Sequence, residues 1–137
     1  LYSLAMARAV GESGHVHAFE PAPSTFRVLM ENVRMNLQSN VITPVPLALG
    51  DREGSVPLHV THQSGLSSMS NAMRGTLAET VQVKTTTLDT YVAQTGIRPD
   101  FLKLDVEGYE PQALAGAAAL LADSASKFRT FSIHKAN

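Results

Sequence analysis

The sequence contains no cysteine and no tryptophan, and it has no long hydrophobic run. The absence of cysteine excludes disulfides, thiolate catalysis and metal sites built on sulfur. No apolar segment approaches the roughly 20 residues that a membrane-spanning helix requires. Residues 1–8 also lack the basic flank and cleavage pattern of a signal peptide. We therefore expect a soluble cytoplasmic protein without a membrane partner.

The charge balance is nearly even, with 11 basic and 12 acidic residues and a formal net charge of −1. Surfaces that bind nucleic acid or anionic membranes are usually basic. The balance therefore argues against nucleic acid as a partner and favours a small-molecule ligand. The length of 137 residues allows one domain with its own hydrophobic core, which we place over residues 1–137.

Hydrophobic spacing in the first part of the chain predicts a helix, a strand and a second helix. The first helix is expected to end near Gly11 or Gly14, and residues 16–19 form a short apolar run typical of a buried strand. Ser24 is a candidate N-cap for the second helix. That helix carries an apolar stripe expected to face a sheet, formed by Phe26, Leu29, Met30, Val33 and Leu37.

The middle of the chain predicts strands and a long loop. Residues 41–49 are apolar but contain Pro44 and Pro46, so we expect a strand whose donor-free positions lie on a sheet edge or at an irregular stretch. Residues 56–60 alternate like an exposed strand and begin a hairpin-like excursion. Residues 61–80 are rich in Ser, Asn, Gly and Thr, which predicts a loop.

The last part of the chain returns to alternating strands and helices. Residues 81–85 predict a strand, followed by a short helix capped by Thr86 or Thr87 and closed at Gly96. A late strand at residues 101–104 leads to a helix with Pro111 in its first turn and a strand near residues 128–133. The buried face of that helix is expected to comprise Ala113, Leu114, Ala117, Leu120 and Leu121. This alternation predicts an α/β, Rossmann-like fold with a mostly parallel sheet.

Two acidic residues follow strands of the predicted sheet, Glu20 after the early strand and Asp105 after the late one. Ligands of such sheets bind beyond the carboxyl ends of the strands, so we expect both carboxylates at one functional rim. Glu20 could accept hydrogen bonds from the two hydroxyls of a ribose, or it could cap the next helix. The chain has no GxGxxG run to decide between these interpretations.

Five ordered motifs together resemble the FkbM family of S-adenosylmethionine-dependent methyltransferases. They are Gly14-His15-Val16-His17-Ala18-Phe19-Glu20-Pro21, then Asn32 and Asn36, then Ala48-Leu49-Gly50-Asp51, then Thr86-Thr87-Leu88-Asp89, and finally Lys103-Leu104-Asp105-Val106-Glu107-Gly108-Tyr109-Glu110. The resemblance covers residues 1–122. It implies a class I methyltransferase fold, S-adenosyl-L-methionine as cofactor, and O-methylation of a hydroxyl on a sugar or another small natural product.

The resemblance also implies roles for individual residues. Glu20 would bind the ribose hydroxyls between Phe19 and Pro21, and the adenine would lie near Ala48, Leu49 and Asp51. Asp105 and Glu107 would face the junction of cofactor and acceptor as the catalytic acids. Asp105 would orient or deprotonate the acceptor hydroxyl, or else bind amides of the next helix. Glu107 could instead contact the cofactor amine, cap a helix or contact a metal.

The sequence departs from the family pattern at both ends. The family's first strand, with its acidic glycine-containing loop, is expected before Leu1, and its terminal strands are expected beyond the last residues. We therefore expect a partial domain whose activity in this form is open. Two alternatives stay open: an NAD-dependent oxidoreductase domain, and a noncatalytic binding module. The spacing of His59 and His62 does not predict a metal site, and the sequence predicts no particular oligomeric state.

Overall fold

The computed structural model describes residues 2–61, 67–68, 77–106, 108–123 and 129–132. Within these ranges the elements are α1 (Tyr2–Val10), β1 (Val16–Phe19), α2 (Pro23–Met35), β2 (Ile42–Val45), β3 (Ala48–Leu49), β4 (Gly54–Thr61), β5 (Ser67–Ser68), β6 (Leu77–Thr86), α3 (Leu88–Thr95), β7 (Phe101–Leu104), α4 (Glu110–Ala115), α5 (Ala118–Ala122) and β8 (Arg129–Ser132). None of the helices in this part of the chain has the length and apolar character needed to cross a bilayer. The chain divides into two compact units, Leu1–Ala48 and Leu49–Asn137.

The first unit pairs two parallel strands under two helices. β1 and β2 run side by side in register from Val16 opposite Ile42 to Phe19 opposite Val45. The buried core consists of Ala7 from α1, Ala18 from β1, Val33 from α2 and Ile42 from β2. Small residues on α1 and β1 allow close packing at this core. The predicted helix, strand, helix and strand of this region are confirmed.

The start of α2 differs from the sequence prediction. Its N-cap is Ala22, with no side-chain cap, so the assignment of Ser24 as N-cap is wrong. Pro23 takes the first helical position, where its missing N–H costs no hydrogen bond and its fixed φ suits the helix. The predicted apolar stripe is also only partly buried, because Met30 is 50% exposed and Leu37, in a left-handed turn after the helix, is 88% exposed.

The outer edge of β2 offers no spare backbone donor within the described residues. The carbonyls of Val41 and Val45 accept hydrogen bonds from the β1 side at 2.8 and 3.0 Å. Alternation along the strand then turns Ile42 and Pro44 away from β1. Pro44 has no N–H, and the N–H of Ile42 donates to the Gln38 carbonyl at 2.9 Å. The predicted placement of donor-free positions on a sheet edge is confirmed for this strand.

The second unit contains a four-stranded sheet in the order β3-β6-β4-β5 and a separate parallel pair, β7 with β8. β4 contains the predicted exposed strand of residues 56–60 and pairs antiparallel with β6, from Gly54 opposite Thr85 to Thr61 opposite Leu77. β6 begins at Leu77, so the last residues of the predicted loop are strand instead. The rest of that loop lies outside the described residues, apart from residue 61 at the end of β4 and residues 67–68, which form β5.

The helices of the second unit begin largely where the sequence predicts. Thr87 caps α3 by accepting a hydrogen bond from the Thr90 N–H, and Gly96 ends α3 in the left-handed conformation. Pro111 lies in the first turn of α4, as predicted. The helix expected after it is divided, because α4 ends at Ala115 and α5 begins at Ala118. Leu121, expected on the buried face, is exposed.

The expectation of a mostly parallel Rossmann-like sheet is not confirmed as such. The structure is mixed α/β, with two parallel pairs and one four-stranded sheet that contains antiparallel pairs. β1 with β2 belongs to the first unit and β7 with β8 to the second, and no pairing within the described residues joins them. Hydrophobic periodicity identifies each strand separately. It does not show which strands pair with one another, because pairing depends on how the connecting segments fold.

Gly116, in the turn between α4 and α5, packs directly against the backbone of Gly50. A Cβ at position 116 would collide with the Gly50 carbonyl oxygen and would lie 3.1 Å from the Thr87 Cβ. The φ of Gly116 is −74°, so its backbone conformation is open to any residue. Glycine is therefore required here by space and not by backbone conformation.

We expect Gly116→Ala to destabilise the fold by about 1–3 kcal/mol, because a backbone carbonyl has to move to admit the methyl group. The measurement is the free energy of unfolding from urea titration followed by circular dichroism. Gly50→Ala is the matched control, since a Cβ there would meet Tyr109 at an ordinary 3.5 Å. Equal stability of the two variants would contradict the close contact.

Candidate functional site

Glu20 lies at the carboxyl end of β1, held by both backbone and side chain. Its N–H donates to the Val45 carbonyl at 3.0 Å, which extends the ladder between β1 and β2 by one bond. Its Oε1 accepts a hydrogen bond of 2.9 Å from the N–H of Ala22, just before α2. Oε2 accepts no hydrogen bond from any described residue. One carboxylate oxygen therefore holds the turn into α2, and no described residue donates to the other.

The half-buried position of Glu20 affects its ionisation. Burial raises the pKa of this carboxyl above its ordinary value, and the hydrogen bond from Ala22 acts against that increase. Desolvation penalises the charged form of a carboxyl, whereas a donated hydrogen bond stabilises it. Additional donors at Oε2 would therefore be favourable, and a pair of neighbouring hydroxyls is one such group.

Both sequence neighbours of Glu20 are partly exposed. Phe19 is the last residue of β1, and Pro21 precedes the turn into α2; both are half-buried. Pro21 restricts the preceding backbone to extended conformations, which suits the end of a strand. The structure thus brings Phe19, Glu20 and Pro21 together at one strand end, as their adjacency in the sequence requires.

The predicted adenine segment begins in β3 and continues into a turn. Ala48 and Leu49 are buried, and the Gly50 N–H donates to the Thr86 carbonyl at 2.9 Å. Asp51 follows at an exposed position, with its Oδ1 4.0 Å from the Nε of the exposed Arg52. An exposed pair at that distance contributes little to stability. The apolar part of this segment is therefore fixed by the sheet, and its carboxylate faces solvent.

Tyr109 is a site-adjacent residue that sequence reasoning did not single out. A Cβ built on Gly50 would lie 3.5 Å from Tyr109 Cε1 and 3.9 Å from its hydroxyl oxygen. The ring therefore covers the turn that joins Leu49 to Asp51. Two of the motifs quoted above, which are more than 50 residues apart in the sequence, meet at this contact.

Asp105 directly follows β7, and its side chain is 39% exposed. Its Oδ2 accepts a hydrogen bond of 3.0 Å from the Nζ of Lys103, whose side chain is only 10% exposed. Lys103 therefore places a largely buried positive charge next to Asp105 on the same strand. Among the described residues, no amide of α4 donates to this carboxylate, so its role as a helix cap stays a prediction. Glu107 lies outside the described residues.

Asp89 has a structural role that the sequence did not predict. Its Oδ2 accepts from the Ala119 N–H at 2.8 Å and its Oδ1 from the Leu120 N–H at 2.9 Å. Both donors lie in the first turn of α5, where backbone N–H groups have no partner within the helix. The bonds span 30 and 31 residues of sequence, so no local signal could have found them.

The histidines of the first unit give no metal site within the described residues. His15 Nε2 lies 2.7 Å from Thr43 Oγ1, and the His15 and His17 ring centroids are 4.9 Å apart. Burial, and secondarily the charge of His15, lowers the pKa of His17. No group of three or more His, Cys, Asp or Glu side chains in the described ranges is placed to hold a metal ion.

The predicted site residues divide between the two units. Phe19, Glu20, Pro21 and Ala48 belong to the first, and Leu49, Asp51 and Asp105 to the second. The meeting of Glu20 and Asp105 at one cleft therefore stays a prediction. An acid after a parallel strand, followed by a helix, is the arrangement by which α/β domains bind nucleotide cofactors.

Comparison with known proteins identifies the family. The family model of the methyltransferase FkbM domain matches residues 1–136, so this chain belongs to the FkbM methyltransferase domain family. The crystal structure of methyltransferase FkbM from Methylobacillus flagellatus KT has a similar fold, with a TM-score of 0.62 and 20% sequence identity. The match covers 94% of this chain and 29% of that one. No curated protein matches the sequence.

We expect Glu20→Gln to stabilise the protein near neutral pH. The raised pKa of Glu20 means that stability is greatest when the carboxyl is protonated and falls as the pH rises through its folded-state pKa. Glutamine keeps an oxygen for the Ala22 N–H and removes the buried charge. The difference in free energy of unfolding between Glu20→Gln and the parent chain should therefore shrink as the pH falls below the ordinary pKa of a Glu carboxyl. Glu53→Gln, at an exposed position, is the control. An advantage independent of pH would contradict this account.

Asp89→Ala should destabilise the second unit by about 1–2 kcal/mol, because it removes both acceptors from the first turn of α5. Hydrogen exchange is the direct measurement, since the amides of Ala119 and Leu120 should exchange faster than in the parent chain. Asp100→Ala, at an exposed position, is the matched control. Unchanged exchange at both amides would show that the cap is not formed in solution.

Proposed function

We propose that this chain is part of an S-adenosylmethionine-dependent methyltransferase that methylates a hydroxyl on a sugar or another small natural product. The family membership supports a methyltransferase, and the observation that carries the cofactor assignment is the carboxylate of Glu20 at the end of β1. A bound S-adenosylmethionine would supply an activated methyl group on a sulfonium sulfur. The protein then has mainly to bind and align the two reactants.

The surroundings of Glu20 fit the ribose of such a cofactor. One carboxylate oxygen is held by the Ala22 N–H at 2.9 Å, which fixes the orientation of the group. The second oxygen has no donor within the described residues, and the group is half-buried. Two vicinal hydroxyls would supply donors to a partly desolvated acceptor, which is the condition that favours binding.

The residues around Gly50 fit an adenine ring. The buried Ala48 and Leu49 fix the backbone of this segment, and Asp51 offers an exposed acceptor two residues further on. The exocyclic amino group of adenine donates hydrogen bonds, and an aspartate oxygen can accept one of them. We assign adenine binding to Ala48, Leu49 and Asp51, and the walls beside the ribose to Phe19 and Pro21.

Asp105 is the residue that we assign to the acceptor. Lys103 holds its Oδ2, which leaves Oδ1 to accept a hydrogen bond from the acceptor hydroxyl. As the new carbon–oxygen bond forms, the hydroxyl proton passes to a base, and a carboxylate held in this way can receive it. Glu107 is assigned to the same junction on the strength of the family motif alone.

The test is isothermal titration of the chain with S-adenosylhomocysteine and, separately, with NAD. We expect binding of S-adenosylhomocysteine that weakens at least about tenfold, or about 1.4 kcal/mol, in Glu20→Gln. Glu12→Gln, an exposed acid in the same unit, should bind like the parent chain. The free energy of unfolding of Glu20→Gln, measured as described above, separates a loss of binding from a loss of folded protein.

Other outcomes would overturn the assignment. Binding of NAD in place of S-adenosylhomocysteine would indicate an oxidoreductase-type domain. Binding of neither ligand would indicate that this chain is a noncatalytic module. Undiminished binding in Glu20→Gln would show that this carboxylate is not the ribose ligand.

A further inference from the structure

Tyr109 lies against the turn to which adenine binding is assigned. A methyl group built on Gly50 would lie 3.5 Å from Tyr109 Cε1 and 3.9 Å from its hydroxyl oxygen, and Gly50 itself is buried. Both residues belong to the second unit. The residue that follows Gly50 is Asp51, whose exposed carboxylate is assigned to the amino group of the base. The tyrosine ring therefore lies beside the segment that would meet the adenine.

The segment assigned to adenine offers little apolar surface of its own. Ala48 and Leu49 are buried, so their side chains face the interior and not a ligand. Gly50 has no side chain, and Asp51 offers only a polar group. A purine has two broad apolar faces, and sites for such ligands are lined mainly by apolar and aromatic side chains. A residue from another part of the chain must therefore supply that surface.

Tyr109 meets this requirement. The atoms nearest to a methyl group on Gly50 belong to Tyr109 and Thr85. Thr85 is buried, so it belongs to the interior of the unit. Tyr109 is only half-buried, so one part of its ring packs over Gly50 and another part is accessible. An accessible aromatic surface is thus present at this turn.

The backbone on both sides of Tyr109 is fixed. Its N–H donates to the Val106 carbonyl at 3.2 Å, and its carbonyl accepts from the N–H of the buried Ala113 at 3.1 Å. Gly108, with φ of +92°, takes the left-handed conformation that glycine adopts without strain, in the turn between β7 and α4. A ring on a fixed backbone loses little freedom when a ligand binds.

We propose that Tyr109 is a cofactor-binding residue whose ring stacks against the adenine of S-adenosylmethionine. This inference rests on the proposed function, from which it takes the ligand and the location of the base. Asp51 accepts a hydrogen bond from the amino group, and Tyr109 covers one face of the ring. Because Asp105 lies four residues before Tyr109, one short segment then carries both the acceptor acid and the adenine contact.

Calorimetric titration with S-adenosylhomocysteine tests the contribution of the ring. Tyr109→Leu keeps an apolar side chain over Gly50 but removes the aromatic face, and it should weaken binding at least about fivefold. Tyr109→Phe keeps the ring and should bind within about threefold of the parent chain. Tyr2→Leu, the same change at an exposed tyrosine of the first unit, should bind like the parent chain.

Titration with adenosine locates the contact on the ligand. Adenosine carries the base and the ribose but no amino-acid part, so Tyr109→Leu should weaken its binding by the same factor. A loss of affinity for S-adenosylhomocysteine with unchanged affinity for adenosine would place Tyr109 at the amino-acid end of the cofactor instead. That result would overturn the stacking proposal.

Tyrosine fluorescence provides a second measurement. The chain has three tyrosines and no tryptophan, so its emission comes from tyrosine alone. A base stacked on Tyr109 should quench that emission when S-adenosylhomocysteine binds. The quenching should be largely lost in Tyr109→Phe and retained in Tyr91→Phe. The Tyr109 hydroxyl forms no hydrogen bond with a described residue, so Tyr109→Phe breaks no such bond among them.

The outcomes distinguish this inference from the proposed function. A parent chain that binds no S-adenosylhomocysteine overturns the proposed function and this inference with it. Binding by the parent chain that is undiminished in Tyr109→Leu, or quenching that persists in Tyr109→Phe, overturns this inference alone. Urea unfolding followed by circular dichroism shows whether each variant is folded. If Tyr109→Leu is unfolded, the quenching in Tyr109→Phe and Tyr91→Phe decides the question.

Discussion

The chemistry assigned to the first unit depends on a carboxylate that is held half out of water. The last ladder bond between β1 and β2 fixes the backbone of Glu20, and the Ala22 N–H fixes one of its oxygens. Burial makes the ionised form costly, so the group is poised to gain from donors that a ligand brings. A fully solvated carboxylate at the same place would be stabilised less by a ligand's hydrogen bonds, because water already donates hydrogen bonds to it.

The second unit relies on contacts that are distant in sequence and close in space. Asp89 holds the first turn of α5, its own N–H donates to the Gly116 carbonyl at 2.9 Å, and Gly116 packs on Gly50. Gly50 in turn is bonded to Thr86 at the end of β6. The turn proposed to carry the adenine is thus braced from two sides, which limits the freedom that it would lose on binding.

The sequence predicted local features well and distant ones poorly. Periodicity located the strand of residues 16–19, and Thr87 was a recognisable cap because its partner lies three residues away. Ser24 was misassigned because Pro23 competes for the start of the helix. Glu20 and Asp105 could be proposed as strand-end acids, but the Asp89 cap could not, since its donors are 30 and 31 residues away. Such pairs become visible only once packing is known.

The prolines of residues 41–49 have a consequence beyond the geometry of their strand. Exposed sheet edges with unpaired N–H groups are templates on which other chains add strands, and this is how many proteins aggregate. The outward positions of β2 cannot act as such a template, because Pro44 has no hydrogen to donate and that of Ile42 is already used. Strand addition is therefore disfavoured at this edge of β2, and this edge does not promote growth into β-fibrils.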